Sequence, residues 1–195
     1  VGSSQMLGNC LIKGDIATND NLIIEEKGSN NFEITKQLSV LPVKSRVSAL
    51  PGDKILVSGV VNEAFGNNVL KASTRIMLDS DSRVTEALDG RFNLTLDLQN
   101  KIKSGKHTIE IIASDPKNNI GSYPIELEVT PVPTNLGIVL SSDKLIPGSI
   151  LDITPSIYDQ ADDLINESLD LELTAPSGSK VFRKIVQSND KIGYE

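Results

Sequence analysis

His107 is the single histidine and Cys10 the single cysteine in 195 residues, and that alone removes most side-chain chemistry from the chain. A cysteine–histidine nucleophile needs both groups in reach, and a histidine metal centre needs more than one imidazole. One cysteine makes neither an internal disulfide nor a cysteine cage for a metal. Cys10 reads as a small buried hydrophobe, and His107, inside a strand-like run, as a structural residue. A serine triad would be expected with a G-x-S-x-G elbow, and the sequence has neither that nor a glycine-rich phosphate loop. The carboxylate pairs Glu25–Glu26 and Asp162–Asp163 read as solvated turn and surface groups. These residues predict no enzyme.

Calcium is the one cofactor the residue types allow, because hard cations take several oxygens from carboxylates, amides and carbonyls. Three clusters offer them: Asp79 and Asp81 in "DSDS", Asp115, Asn118 and Asn119 in "DPKNN", and Asp159, Asp162 and Asp163 in "YDQADD". None has EF-hand spacing, and Asp and Asn also populate turns for conformational reasons alone. Asn93 in "NLT" and Asn166 in "NES" are sequons for glycosylation. Asn93 should lie on the outward face of its strand, opposite Phe92 and Leu94.

Charge narrows the partners. With 19 Lys and Arg against 26 Asp and Glu, the net charge is −7, and the positives are scattered, which excludes a nucleic-acid partner. No apolar run approaches the ~20 residues that span a bilayer, so no membrane insertion is expected within this segment. "VGSSQMLGNC" lacks the charged start and apolar middle of a signal peptide.

The elements that would carry these residues are strands. "KILVSGVV", "STRIMLDS", "RFNLTLDL", "HTIEIIAS" and "YPIELEVTP" are short and rich in Ile, Val, Leu and Thr. Phe92, Leu94, Leu96 and Leu98 fall on one face at period two, as do Ile125, Leu127 and Val129. Turn residues punctuate the runs: "PGDK", "LDGR", "KSGK", "IPGS". "ADDLINESL" is the one stretch with a helical pattern. In "ASDPKNNIGS" the chain reverses between two such runs. Pro116 suits a turn, Asn118, Asn119 and Gly121 tolerate left-handed angles, and Asp115 can accept from nearby amides.

The chain also repeats itself. "LPGDKILVSGVV" from Leu50 matches "IPGSILDITPSI" from Ile146 at an offset of 96, with Pro51 on Pro147 and Gly52 on Gly148. Ile55, Val57 and Val61 fall on Leu151, Ile153 and Ile157. After a one-residue slip, Thr74, Ile76 and Leu78 fall on Leu169, Leu171 and Leu173. Leu38, Val40 and Pro42 resemble Leu127, Val129 and Pro131. This phase divides the chain into 1–42, the last strands of one module; 43–131, a complete module; and 132–195, the start of another, after the proline-punctuated linker "TPVPTNLG". Other arrangements would make the two partial ends complete, unusually small domains, or let the N-terminal strands join the middle sheet.

"PGDKILVSGVVNEAFGNN", "LDGRFNLTLDL" and "SGKHTIEIIASDPKNNIGSYPIELEVTP" resemble the immunoglobulin-like repeats of prokaryotic surface proteins, which carry a proline-glycine start, a DG-aromatic strand and an A-x-D-x-x-x-N hairpin. The resemblance covers 43–131 and, in part, both flanks. The Cys…Trp…Cys set of antibody domains is absent. The fold expected is all-β, with tandem immunoglobulin-like β-sandwiches. The resemblance implies a cell-surface or extracellular location and a structural or adhesive role as stalk, lattice or spacer. It implies neighbouring repeat modules, and other surface proteins or glycans, as partners. The alternative is an accessory ligand- or carbohydrate-binding module of a larger extracellular enzyme, with Tyr123 and Tyr158 as sugar-stacking candidates.

Overall fold

A computed structural model describes residues 7–17, 23–64 and 66–195. The chain runs through strands β1 (Gly8–Cys10), β2 (Lys13–Ala17), β3 (Ile23–Gly28), β4 (Phe32–Ile34), β5 (Leu38–Pro42), β6 (Arg46–Ala49), β7 (Lys54–Glu63), β8 (Lys71–Leu78) and β9 (Asp81–Leu88). It continues through β10 (Arg91–Asp97), β11 (Gly105–Ser114), β12 (Ile120–Val129), β13 (Asn135–Leu140), β14 (Leu151–Tyr158), β15 (Leu164–Ile165), β16 (Ser168–Thr174), β17 (Lys180–Gln187) and β18 (Ile192–Tyr194). Among the described residues there is no helix. "ADDLINESL" forms a turn and the starts of β15 and β16 instead, because Leu164 and Ile165 pair with β14.

Two compact units result, one of residues up to 43, 58–94 and 110–124, the other of 44–57, 95–109 and 125–195. The first holds the antiparallel pairs β1–β4 and β2–β3 and a core that includes Leu38, Val40, Val61, Ile76, Phe92 and Ile111. The second buries Ile55, Val57, Leu96, Leu98, Ile109, Ile125, Leu127 and Val129, and a cluster of Leu151, Ile153, Leu171, Val186 and Ile192. The period-two faces expected around Phe92 and Ile125 are the buried ones, with Leu94 half-buried.

Eight strands join in the order β5-β7-β10-β9-β8-β11-β12-β6. A single residue pair, Arg91 with Leu88, links β10 to β9, so the ladder folds there into a three-stranded and a five-stranded layer. The leading strand serves both. β5 pairs antiparallel with β7 up to Pro42, which has no N–H to donate, and β6 then pairs parallel with β12. This is an immunoglobulin-like β-sandwich.

Leu38–Pro42 lies at one edge of the eight-stranded sheet, where β5 pairs with β7 in the register Val40 to Val61, as in the arrangement that lets N-terminal strands join the middle sheet. Its counterpart is β13, where Leu136 faces Ile157 at the same offset of 96, and not the stretch ending at Pro131. Both stretches alternate and end at proline, so alternation alone does not say which strand they form. Further features recur at 96. Asp53 N–H donates to Leu50 O (3.1 Å), as Ser149 N–H does to Ile146 O (3.1 Å). The central glycines of these turns, Gly52 and Gly148, have φ of 81° and 84°, which fits a Pro-Gly type II turn. Asn62 bridges Asn68 and Tyr158 pairs with Leu164.

Gly121 also departs from expectation. It is not among the residues of positive φ. A Cβ there would run into the carbonyl oxygen of Leu38, so the glycine permits a close approach of backbones.

Two buried polar atoms of the described residues, Asn62 Oδ1 and Thr74 Oγ1, lack a hydrogen-bond partner. Thr74 is fully buried, and its Oγ1 has no hydrogen-bond partner. Thr74→Val removes that hydroxyl at nearly constant shape and is expected to stabilise the protein by about 1 kcal/mol. Urea denaturation measures it; a loss of stability would show that the hydroxyl is satisfied in solution.

Candidate functional site

Two aspartates organise the loops in which chemistry was sought, and each does so through the same five-residue turn. Asp115 Oδ1 accepts from the amides of Lys117 (2.8 Å) and Asn119 (2.9 Å), and its Oδ2 from Asn119 Nδ2 (2.7 Å). Asp115 N–H donates to Asn119 O (3.1 Å) and Asn118 N–H to Asp115 O (3.0 Å), with Asn118 at φ 61°. Asp159 repeats the pattern. Its Oδ1 accepts from the amides of Ala161 (2.9 Å) and Asp163 (3.0 Å), its N–H donates to Asp163 O (2.9 Å), and Asp162 sits at φ 63°. The residues predicted to turn the chain therefore do so, with Asn118 as the left-handed one.

Asp159 goes further. Its side chain is wholly buried, and Ser104 Oγ, in the loop before β11, donates to Oδ2 at 2.6 Å. Its carbonyl accepts from Thr134 Oγ1 (2.6 Å) in the linker. Beside it, Gln160 joins the same two segments: Nε2 donates to Ile102 O (2.7 Å), and Oε1 accepts from Val132 N–H (2.9 Å). Two neighbouring side chains thus clasp the 102–104 loop and the 132–134 linker. Burial pushes the Asp159 carboxyl up. The Ser104 hydroxyl, the Asp163 and Ala161 amides and the Lys103 charge together outweigh it, so the group stays below its ordinary value and ionised. Lys101 and Lys103 approach Asp162 and Asp163 at 3.8 and 3.7 Å, but these pairs are exposed and contribute little.

The calcium candidates fall into place accordingly. Asp115 and Asp159 spend their carboxylate oxygens on protein donors, while Asp162 and Asp163 lie beside lysines. Asp79 is the left-handed residue of the β8–β9 turn, at φ 51°, and Asp81 pairs with Arg83 at 3.4 Å. Among the described residues no group of three or more His, Cys, Asp or Glu is placed to hold a metal. Glu26 pairs with Lys13 (3.0 Å), and the Glu25 side chain lies outside the described residues. Cys10 is half-buried rather than buried, its Sγ donating to Gly8 O at 3.5 Å, because β1 pairs only with the short β4. His107 Nε2 hydrogen-bonds with Lys103 O at 2.9 Å.

A surface groove of about 410 Å³ is lined by residues that include Arg46, Ser48, Lys106, His107, Glu126 and Glu128. Arg46 and Glu126 close on each other at 2.5 Å, and no Phe, Tyr or Trp is among the residues lining it. Tyr123 and Tyr158 are half-buried. Asn93 and Asn166 are both exposed, the first mid-strand in β10 and the second in the loop between β15 and β16. Among the described residues no helix is long and apolar enough to cross a membrane.

Sequence reasoning missed Ser104 and Gln160. The D-x-x-N-N and D-x-x-D-D patterns mark the two turns, but nothing local ties Ser104 to an aspartate 55 residues away.

Fold and clasp together define an all-β sandwich protein whose most buried carboxylate among the described residues, Asp159, is hydrogen-bonded within the chain. No protein-family model and no curated protein matches the chain. Among solved structures it is similar to the adhesin InvE of Yersinia pseudotuberculosis, at 15% identity and a TM-score of 0.41 over 80% of this chain and 49% of that one. It is similar to domains 5–6 of the S-layer protein SbsC at 13% and 0.35, covering 77% of this chain and 83% of that one. It is also similar to E. coli alpha-2-macroglobulin at 10% and 0.36, covering 97% of this chain and 16% of that one. The chain thus spans under a sixth of the macroglobulin's length and about half of the adhesin's. At these identities and TM-scores no role passes from them to this chain.

Proposed function

We propose that the chain is a non-catalytic structural or adhesive segment of a cell-surface protein, in which tandem immunoglobulin-like sandwiches serve as stalk, lattice or spacer. The clasp carries this reading. A wholly buried, ionised Asp159 bonded to Ser104, with Gln160 bridging Ile102 and Val132, fixes the segment between two copies of a repeated strand pattern. A flexible tether would have no use for such an arrangement, since ordering both segments costs conformational entropy. The recurrence of strand register and turns at 96 residues supports the tandem organisation, and the sequence resemblance supports the surface location. Exposed Asn93 and Asn166 are the natural glycan acceptors of such a segment. Neighbouring modules are its first partners.

Protease shaving of intact source cells, followed by mass spectrometry, tests the location. Peptides from this chain are expected in the supernatant before lysis, with glycan on Asn93 or Asn166 as added support. Peptides that emerge only after lysis would retire the surface role.

A further inference from the structure

The recurrence at 96 residues allows the region from β13 to β18 to be compared with the first copy strand by strand. In the first copy the opening strand is covered by β12: Gln37 bridges Ile120, Ile120 N–H donates to Lys36 O (2.9 Å), and Gly121 packs against Leu38. Val40 is there 4% exposed. Its counterpart Leu136 is 53% exposed. β6 owes its existence to the same partner, pairing through Val47 with Leu127 and Ala49 with Val129. Its counterpart, residues 142–145, forms no strand, and Leu145 is 46% exposed where Ala49 is 9%. Finally, β8 lies between β9 and β11, whereas β16 has β17 alone as a neighbour among the described residues. All three differences lie where β11 and β12 sit in the first copy.

We infer that the open edge of β16, together with the exposed Leu136 and Leu145, is the seat of a β-hairpin of the β11–β12 kind. Its two strands alternate apolar residues on the inward side. It pairs with β16 as β11 does with β8, and with residues 142–145 as β12 does with β6. The hairpin carries a glycine where it crosses the backbone of Thr134, the counterpart of Leu38, because a Cβ at that crossing meets the carbonyl. This chemistry sets the specificity: an extended strand pair with a side chain at the crossing does not seat. The inference rests on the internal recurrence and is independent of where the protein resides.

The test adds a second copy of residues 96–131 after Glu195 and follows amide hydrogen exchange in the full chain. Exchange in β16 and around residues 142–145 is expected to slow roughly tenfold or more, as edge amides gain partners. The same extension carrying Gly121→Val in the added copy is expected to give no such protection. Unchanged exchange in β16 with the glycine-bearing extension would overturn the inference. So would protection in the unextended chain that grows with protein concentration, which would assign the surface to a second copy.

Discussion

Replacing Asp159 with alanine is expected to lower folding stability by about 3 kcal/mol, because buried donors lose an ionised acceptor together. The amides of Ala161 and Asp163 and the Ser104 hydroxyl all point at a carboxylate that water does not reach. Ser104→Ala removes one of the three donors and should cost about half as much. Urea denaturation of the two variants and their double mutant measures both, and the double mutant should be no worse than Asp159→Ala alone. Independent, additive losses would show that the pair is not coupled.

The same carboxylate makes stability depend on acidity. Its folded value lies below the ordinary 3.8, so its contribution is fully present above about pH 4, near the unfolded value. That contribution is lost as pH falls through the lowered folded value. The stability gap between the wild type and Asp159→Ala should therefore shrink below about pH 4 and stay constant between about pH 5 and 8. A gap that persists undiminished well into acid would mean that the charge is not what the clasp uses.

The second large effect is steric. Gly121→Ala is expected to destabilise by about 3 kcal/mol, at the upper end for overpacking. The atoms that an added Cβ meets include the carbonyl oxygen and carbon of Leu38. Backbone held in a sheet on one side and a bridge on the other has no rotamer with which to escape. Ser122→Ala, one position along on the exposed face, serves as the control and should be close to neutral. A Gly121→Ala variant as stable as that control would contradict the close approach.

These residues also show where sequence reading reaches its limit. The alternation of Phe92, Leu96 and Leu98, or of Ile125, Leu127 and Val129, is local and period-bound, and it maps directly onto the buried face. The Pro51–Gly52 and Pro147–Gly148 turns are legible for the same reason, since the conformation they need belongs to those two residue types. Asp115 was readable as a turn aspartate because its acceptors and donors lie within four residues. The rest is long-range. Whether Leu38–Pro42 opens one sandwich or closes another is decided by its register against β7, not by its own residues. β6 has no pattern of its own and is a strand because β12 lies alongside it. Gly121 looks like a turn glycine in "NNIGS", yet its role is set by Leu38, 83 positions earlier in the chain. The Ser104–Asp159 bond joins two loops that each look like ordinary surface turns.

We propose that the Asp159–Gln160 clasp makes the segment a stiff spacer. Spin labels at the exposed positions Thr108 in β11 and Lys184 in β17, placed as cysteines in a Cys10→Ser background, report the distance distribution across the clasp. One narrow peak is expected in the otherwise wild-type chain, and a broadened distribution in Asp159→Ala under conditions where both remain folded. A distribution already broad with Asp159 in place, or equally narrow without it, would contradict a spacer stiffened at this point.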